Sequence, residues 1–233
     1  MIKGKRIAVV GGTAGIGLAL ARRAVGLGAD IILGARNKNR LDLVADELGV
    51  SRMTIDTMDE AAVKKFFDFC GEIDHLATPG CSVRAGGWKD TSTEDYLYTL
   101  KSKLVGQALC ARAASIRQGG SIVFFSGILA KRPGPWPLLG SVNAAVEALG
   151  VGLAVELSPI RVNVVSPGLT MNTEAFSGMT EEQRNQMFSA AAEKFPVGRV
   201  GEPDDSADAA VFLMENSFMT GQVICVDGGA TAL

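Results

Sequence analysis

The chain has 233 residues, of which 47% are apolar and 21% are charged, which predicts one large α/β domain and excludes a disordered chain. Its formal net charge of −2 predicts no attraction to nucleic acid or to an anionic membrane. No stretch reaches the ~20 apolar residues of a membrane span, and the basic N-terminus lacks the apolar core of a signal peptide. We therefore expect a soluble, cytoplasmic protein.

Apolar runs alternate with amphipathic stretches along the whole chain. Strands are predicted at about 5–10, 31–33, 53–55, 73–77, 121–125, 161–165 and 222–226. Helices are predicted at about 15–27, through 41–48 and 63–69, at 94–117, 140–157 and 181–193, and from Pro203 onward. Strands without polar alternation suit a parallel sheet that is covered on both faces. Right-handed crossovers then favour a single-domain, Rossmann-type doubly wound sheet of about seven strands.

The cysteines and the single histidine do not form a metal-binding pattern. No C-x-x-C pair occurs among Cys70, Cys81, Cys110 and Cys225, and His75 is the only histidine. A zinc site of ordinary ligand spacing is therefore not expected, and reduced thiols are. His75 lies inside the predicted fourth strand, where we expect it to be buried and hydrogen-bonded.

A glycine-rich turn follows the first strand and opens the first helix. It consists of Gly11, Gly12, Thr13, Ala14, Gly15, Ile16 and Gly17. Glycines allow a pyrophosphate to approach the backbone, and a helix N-terminus offers free N–H groups to an anion. Many strand–helix turns need glycine for geometry alone, but the position as the first turn of the chain favours a phosphate cradle. The spacing differs from the G-x-G-x-x-G fingerprint.

Several ordered motifs resemble the short-chain dehydrogenase/reductase family over nearly the whole chain. Besides the glycine turn, they are Gly34-Ala35-Arg36-Asn37, Asp56, Ala148-Leu149 through Leu157, Ile160 through Gly168, and Met219-Thr220-Gly221-Gln222 through Gly229. The resemblance implies one dinucleotide-binding domain over 1–233 with a bound nicotinamide cofactor. The implied cofactor-binding residues are Gly11 to Gly17, Ala35, Arg36, Asn37, Asp56, Thr57, Thr78, Pro79, Gly80, Lys103, Asn143, Pro167, Gly168, Leu169 and Thr170.

The end of the second strand discriminates between the two nicotinamide cofactors. An acidic residue there would bind the ribose 2′-hydroxyl and repel a 2′-phosphate. Ala35 and Arg36 stand there instead, and an arginine suits a phosphate through its charge and its planar set of donors. A solvated surface arginine is the alternative. The position beside the glycine turn favours NADP(H) over NAD(H).

The catalytic motif is where the resemblance fails. The family carries Y-x-x-x-K on the long helix after the fifth strand, with tyrosine as proton donor. Alignment places Leu139 at the tyrosine and Asn143 at the lysine, and leucine cannot transfer a proton. The family serine falls near Ser126 and Gly127. Tyr96 and Tyr98 are the only phenols, and we expect both to serve packing or an interface.

Lys103 stands where the family has an asparagine, and Asn143 stands where it has a lysine. We hypothesise that Lys103 restores the missing ammonium while Asn143 keeps a hydrogen bond to the ribose, with Ser126 as the best-placed proton donor. Lys103, Asn143 and Ser126 are therefore the candidate catalytic residues. The alternative for Lys103 is an ordinary exposed helix lysine.

Two functions follow from this pattern. The first is an NADPH-dependent reductase of a small carbonyl-type substrate, with residues 170–200 as a substrate lid; a core excursion or a subunit contact is the alternative for that segment. The second is a catalytically inactive NADP(H)-binding sensor or assembly protein. The resemblance also implies a homo-oligomer, a tetramer or a dimer, formed through the helices at 94–117 and 140–157.

Overall fold

The computed structural model describes residues 1–173 and 178–233 and contains a seven-stranded sheet with the order β3-β2-β1-β4-β5-β6-β7. All six strand pairs are parallel. The strands are β1 Arg6–Val10, β2 Asp30–Ala35, β3 Ser51–Thr54, β4 Glu72–Ala77, β5 Ser115–Phe125, β6 Arg161–Pro167 and β7 Val223–Val226. The helices are α1 Gly15–Gly26, α2 Lys38–Leu48, α3 Glu60–Cys70, α4 Thr93–Leu100, α5 Gly106–Ala113, α6 Pro137–Glu156, α7 Glu181–Ala192 and α8 Pro203–Glu215. The predicted doubly wound fold is confirmed.

Helices cover both faces of the sheet and bury a separate apolar cluster on each. One cluster joins α1, α2 and α8 to the sheet, and the other joins α3, α5 and α6 to the opposite face. The inner strands β1, β2, β4, β6 and the second half of β5 are buried on both sides, which explains their continuous apolar runs.

The strand order reverses between the neighbouring strands β1 and β4. From β1 the chain continues to β2 on one side, and from β4 it continues to β5 on the other side. Val9 pairs with Leu33 of β2 on one side and with Ala77 of β4 on the other. In doubly wound sheets, ligands bind in the crevice outside the carboxyl ends of the strands at this reversal. The glycine turn after β1 and the loop after β4 therefore border the expected site.

The helix predicted over 94–117 is wrong at its end. Helix α5 ends at Ala113, and β5 already begins at Ser115. The early part of β5 pairs with the start of β4, where Ile73 faces Ile116. The pairing of β4 with β5 shifts register between Ile73 and His75. Residue 120 on β5 must be glycine, because a Cβ there would lie 2.2 Å from the Asp74 carbonyl oxygen. This irregularity interrupts the apolar pattern, so the first half of the strand could not be predicted from periodicity.

The length and hydropathy of helix α6 contradict the expectation that no segment is apolar enough to span a membrane. By length and composition alone it is long and apolar enough, which by itself is weak evidence for a membrane. Its buried residues, among them Val142, Val146 and Ala154, lie along one face that packs on the sheet. We therefore assign α6 to the helical layer that covers the sheet.

The predicted lid segment contains a helix close to where the sequence places it. Helix α7 covers Glu181–Ala192 and begins with a capping box, in which Thr180 and Gln183 exchange side-chain-to-backbone hydrogen bonds. Phe176, one of the apolar residues of the predicted lid, lies outside the described residues.

Candidate active site

The glycine turn after β1 is packed so tightly that no side chain fits at Gly11 or at Gly17. A Cβ on Gly11, whose φ is +95°, would lie 2.2 Å from the Gly80 Cα atom. A Cβ on Gly17 would lie 2.0 Å from the Gly11 carbonyl oxygen. The turn, the start of α1 and the loop after β4 thus meet backbone to backbone, and Gly80 N donates to the Val10 carbonyl oxygen at 3.0 Å.

Helix α1 begins in this turn without a side-chain cap. Its N-cap residue, Ala14, has no side-chain oxygen and makes no capping hydrogen bond. The backbone N–H groups of the first helical turn therefore have no side-chain partner at the N-cap and are available to an anion. The phosphate cradle at this turn stays a prediction.

The end of β2 presents Arg36 to solvent beside this turn. Ala35 is buried, whereas Arg36 and Asn37 are exposed, and the Asn37 side chain caps helix α2. Arg36 Nη2 donates to Ser82 Oγ at 2.5 Å, which connects β2 to the loop after β4. Asp56, after β3, accepts a hydrogen bond from a backbone N–H two residues ahead at 3.0 Å.

The Thr78 side chain points into the protein and contacts Gln107, a buried residue that sequence reasoning missed. Its hydroxyl donates to Gln107 Oε1 at 2.8 Å, and both residues are buried. The same amide oxygen accepts from Phe125 N at 2.9 Å. Gln107 therefore joins the ends of β4 and β5. The hydrogen of the Thr78 hydroxyl is already donated within the protein.

Lys103 lies in a π-helical turn, Lys101–Val105, between α4 and α5. The side chain is only 8% exposed, so the alternative of an ordinary surface lysine is wrong. Its Nζ atom donates to the Ser126 carbonyl oxygen at 2.8 Å. π-Helical turns inside α-helices are frequent at functional sites, because they change the direction of the side chains that follow.

Asn143 approaches the same β5 end from helix α6. It is 2% exposed, and its Oδ1 atom has no hydrogen-bond partner among the described residues. Its Nδ2 atom would lie 2.9 Å from a Cβ placed on Gly127. Ser126 and Gly127 therefore lie between a buried lysine and a buried amide whose acceptor is unused. A buried polar atom without a partner is costly unless a ligand or a water molecule supplies one.

The Ser126 hydroxyl is held by Glu147, a second residue that sequence reasoning missed. Ser126 Oγ donates to Glu147 Oε1 at 2.9 Å, and Ser166 Oγ donates to the same oxygen at 3.0 Å. Glu147 thus connects α6 to the ends of β5 and β6. With its hydrogen on the carboxylate, the Ser126 hydroxyl can accept a hydrogen bond from a substrate but cannot donate one.

The segment after β6 forms the opposite edge of the crevice. Gly168 packs against the chain end, because a Cβ there would lie 2.7 Å from the Asp227 Cα atom. Thr170 is buried, and its hydroxyl donates to the Gly168 carbonyl oxygen at 3.0 Å. Pro167 to Thr170, which the resemblance implies to be cofactor-binding residues, therefore form a compact turn.

Comparison with known proteins identifies the family. A family model described as enoyl-(acyl carrier protein) reductase matches residues 11–231. Carbonyl reductase family member 4 of Danio rerio is 33% identical over 98% of this chain and 99% of its own length. The short-chain dehydrogenase/reductase ATR9 of Stachybotrys chlorohalonatus is 29% identical over 98% of each chain. This chain belongs to the short-chain dehydrogenase/reductase family.

Solved structures of other short-chain dehydrogenases agree with this assignment. A small-chain dehydrogenase in complex with NADPH is 35% identical, has a TM-score of 0.85 and covers 99% of this chain and 100% of its own. An NADPH-bound short-chain oxidoreductase from Pseudomonas aeruginosa PAO1, described as containing an atypical catalytic center, is 26% identical with a TM-score of 0.89. That pair covers 97% of this chain and 96% of the other.

The other titratable side chains considered from the sequence contact residues other than Ser126 and Asn143. His75 is buried, as predicted, and its Nδ1 atom lies 2.9 Å from Ser121 Oγ. Tyr96 OH lies 3.3 Å from Ser141 Oγ between α4 and α6. The Tyr98 ring packs under Arg84, whose guanidinium carbon lies 3.9 Å from the ring centroid. In this short-chain dehydrogenase, the π-helical lysine is the buried cation at the β5 end.

Proposed function

We propose that this protein is an NADPH-dependent oxidoreductase that reduces a small carbonyl-type substrate with a rebuilt active site. The observation that carries the proposal is the buried Lys103, whose Nζ atom contacts the Ser126 backbone, together with the unused amide oxygen of Asn143, which approaches Gly127. A buried cation and an unused buried acceptor at the same strand end suit a ligand with hydroxyl groups, because hydroxyls both donate and accept.

The residues present fit a nicotinamide dinucleotide. At Gly11 and Gly17 a Cβ would clash with backbone atoms, so glycine keeps the turn in its tight conformation, and α1, which begins in this turn, has no side-chain cap on the N–H groups that would bind a pyrophosphate. Asn143 Oδ1 offers an acceptor for a ribose hydroxyl. Arg36 supports NADP(H) over NAD(H), since a guanidinium pairs with a 2′-phosphate and no carboxylate stands at the end of β2 to repel it. The NADPH-bound structures similar to this chain add to this inference.

Lys103 is the residue that compensates for the missing Y-x-x-x-K motif. When bound, NADPH supplies a hydride. Lys103 Nζ uses one donor on Ser126, and the remaining N–H groups are left for the cofactor ribose and the substrate oxygen. Asn143 completes the ribose contact from α6. Ser126 positions Lys103 through its carbonyl group. The Ser126 hydroxyl already donates its hydrogen bond to Glu147, so towards a substrate it can only accept one.

Replacement of Lys103 by methionine tests the proposal against a matched control. Lys101 lies two residues earlier on the same helical turn and is exposed. Loss of a hydrogen bond from a charged donor costs about 1.5–3 kcal/mol, so Lys103→Met should weaken NADPH binding by roughly tenfold or more. Lys101→Met should bind NADPH like the wild type. Equal NADPH affinities of the two variants, measured by fluorescence titration, would overturn the role of Lys103.

A catalytically inactive NADP(H)-binding protein is the second candidate function. It is favoured by Leu139 at the position of the family tyrosine and by the engaged Ser126 hydroxyl, which together leave no standard proton donor. NADPH oxidation across a panel of carbonyl and imine compounds, with Ser126→Ala as a comparison, separates the two candidates. Tight NADPH binding without turnover of any member would favour the inactive protein.

We also propose that α7 is part of a substrate lid and that the protein assembles into a homo-oligomer. An apolar groove of about 370 Å³ lies between α7 and the segment after Gly127, and it is lined by Ile128, Leu129, Met187 and Phe195 among others. This groove begins next to the β5 end, where a substrate would react.

The outward face of α6 carries exposed Val151 and Val155, which suits a helix contact with a second copy.

A further inference from the structure

The loop after β4 is fastened to helix α4 and to the π-helical turn by side chains of both. Ser82 N donates to Ser102 Oγ at 2.8 Å. Arg84 N donates to Thr99 Oγ1 at 2.9 Å, and the same hydroxyl donates to the Arg84 carbonyl oxygen at 3.2 Å. These bonds fix the backbone at two positions of a segment that has no regular secondary structure of its own.

Tyr98 lies between this fastened loop and the end of β2. One side of its ring packs under the Arg84 guanidinium, which is itself held by Asp95 at 3.1 Å. The side chains of Ser82 and Arg36 lower the pKa of its phenol, so the Tyr98 hydroxyl lies near both of them. Ser82 Oγ accepts a hydrogen bond from Arg36 Nη2 at 2.5 Å. The Ser82 hydroxyl therefore holds the arginine of β2, and the Tyr98 hydroxyl lies beside that contact.

The partners of Arg36 leave its charge available. Among the described residues Arg36 forms no ion pair, whereas the neighbouring Arg84 pairs with Asp95. Hydroxyl groups orient a guanidinium without neutralising it, and a carboxylate in the same place would repel a phosphate. An exposed arginine loses rotamer freedom when it binds a ligand, and partners that order it beforehand reduce that loss.

We propose that Ser82 and Tyr98 position Arg36 for the 2′-phosphate of NADP(H), so that Tyr98 is a specificity-determining positioning residue. The inference rests on the proposed preference for NADP(H). Because NADH carries no 2′-phosphate, the positioning of Arg36 contributes to the binding of NADPH and not to that of NADH. The ratio of the two affinities therefore reports on Tyr98 separately from the general stability of the fold.

Tyr98→Phe and Ser82→Ala test this inference, with Tyr96→Phe as the matched control on the same helix. Each test variant removes one hydroxyl at Arg36, and one hydrogen bond corresponds to about a fivefold change in affinity. We expect the Kd for NADPH to rise by about that factor in both variants, with the Kd for NADH unchanged. Tyr96→Phe loses its contact with Ser141 and should keep the wild-type ratio.

Arg36→Ala separates failure of this inference from failure of the underlying cofactor preference. If Arg36→Ala removes the preference for NADPH while Tyr98→Phe and Ser82→Ala leave the ratio unchanged or increase it, the positioning role is refuted and the preference stands. If Arg36→Ala itself leaves the ratio unchanged, both the preference and the positioning role are refuted. Equal weakening of NADPH and NADH in Tyr98→Phe would assign Tyr98 a structural role only and also refute the inference.

Discussion

Replacing Gly11 by alanine should weaken NADPH binding strongly while the sheet still folds. The added Cβ would lie 2.2 Å from the Gly80 Cα atom and 2.5 Å from its backbone N, and neither atom belongs to a flexible side chain. Carbon atoms in contact lie about 3.5–4 Å apart, so the two loops must separate by more than ~1 Å. The φ of +95° adds a backbone strain of about 1–3 kcal/mol.

The separation of the loops displaces the backbone groups that would bind the pyrophosphate. If about 2–3 kcal/mol of the resulting strain appears in binding, the Kd for NADPH should rise roughly 30- to 150-fold. Fluorescence titration measures the Kd, and thermal unfolding shows how much of the strain is lost from stability instead. A Gly11→Ala protein that keeps both the wild-type Kd and the wild-type Tm would refute the packing argument.

Gly26→Ala is the matched control for this experiment. Gly26 is the last residue of α1, the helix that begins in the same turn, and no atom lies within 4 Å of a Cβ built there. Alanine is the better helix former by up to about 1 kcal/mol, so this variant should be as stable as the wild type or slightly more stable. Its NADPH affinity should not change.

Three further predictions concern stability, thiol reactivity and assembly. Burial lowers the pKa of His75 to about 4 from 6.5. Above about pH 6.5 the imidazole is neutral in both the folded and the unfolded chain. As the pH falls towards 4, the unfolded chain takes up the proton first, so the free energy of unfolding decreases. Between about pH 7 and pH 4.5, urea unfolding of the wild type should lose about 2–3 kcal/mol more than that of His75→Gln, and equal losses would contradict the burial argument. Burial raises the pKa of the Cys70 and Cys110 thiols to about 12, so iodoacetamide should label exposed Cys81 in the native protein and these two only in urea, as peptide mass spectrometry would show. Val155, 79% exposed on α6, should lie in the oligomer contact, and Val155→Asp should lower the mass measured by light scattering; an unchanged mass would place the contact elsewhere.

The fold and the glycine turn after β1 could be predicted because their signals are local. Parallel buried strands give apolar runs, and a tight turn between a strand and a helix gives a cluster of glycines. The first half of β5 could not be predicted, because it depends on pairing with the start of β4 and on a glycine at one backbone contact. Its polar residues resemble the end of an exposed helix, which is how periodicity misassigned them.

The partners of the predicted site residues could not be predicted, because each joins elements that are distant in the sequence. Glu147 meets Ser126 and Ser166 only when α6 lies across the ends of β5 and β6. In the sequence it is a charged residue within a long apolar helix, and nothing there shows which groups it meets. Gln107 is a polar residue in the predicted helix at 94–117, and nothing in the sequence indicates that it bonds Thr78.

The positions of Lys103 and Asn143 bear on which substrates this site can reduce. In the family motif, the proton donor and the lysine lie one turn apart on the same helix, whereas here the cation is on the π-helical turn and Leu139 occupies the donor position on α6. Reduction of a neutral carbonyl requires both a hydride and a proton, and in the proposed reductase we expect Lys103 to supply that proton. Reduction of an iminium ion requires only the hydride. Lys103→Met should therefore abolish turnover of ketones but leave turnover of iminium substrates at saturating NADPH, and equal loss on both classes would show that the lysine acts through cofactor placement alone.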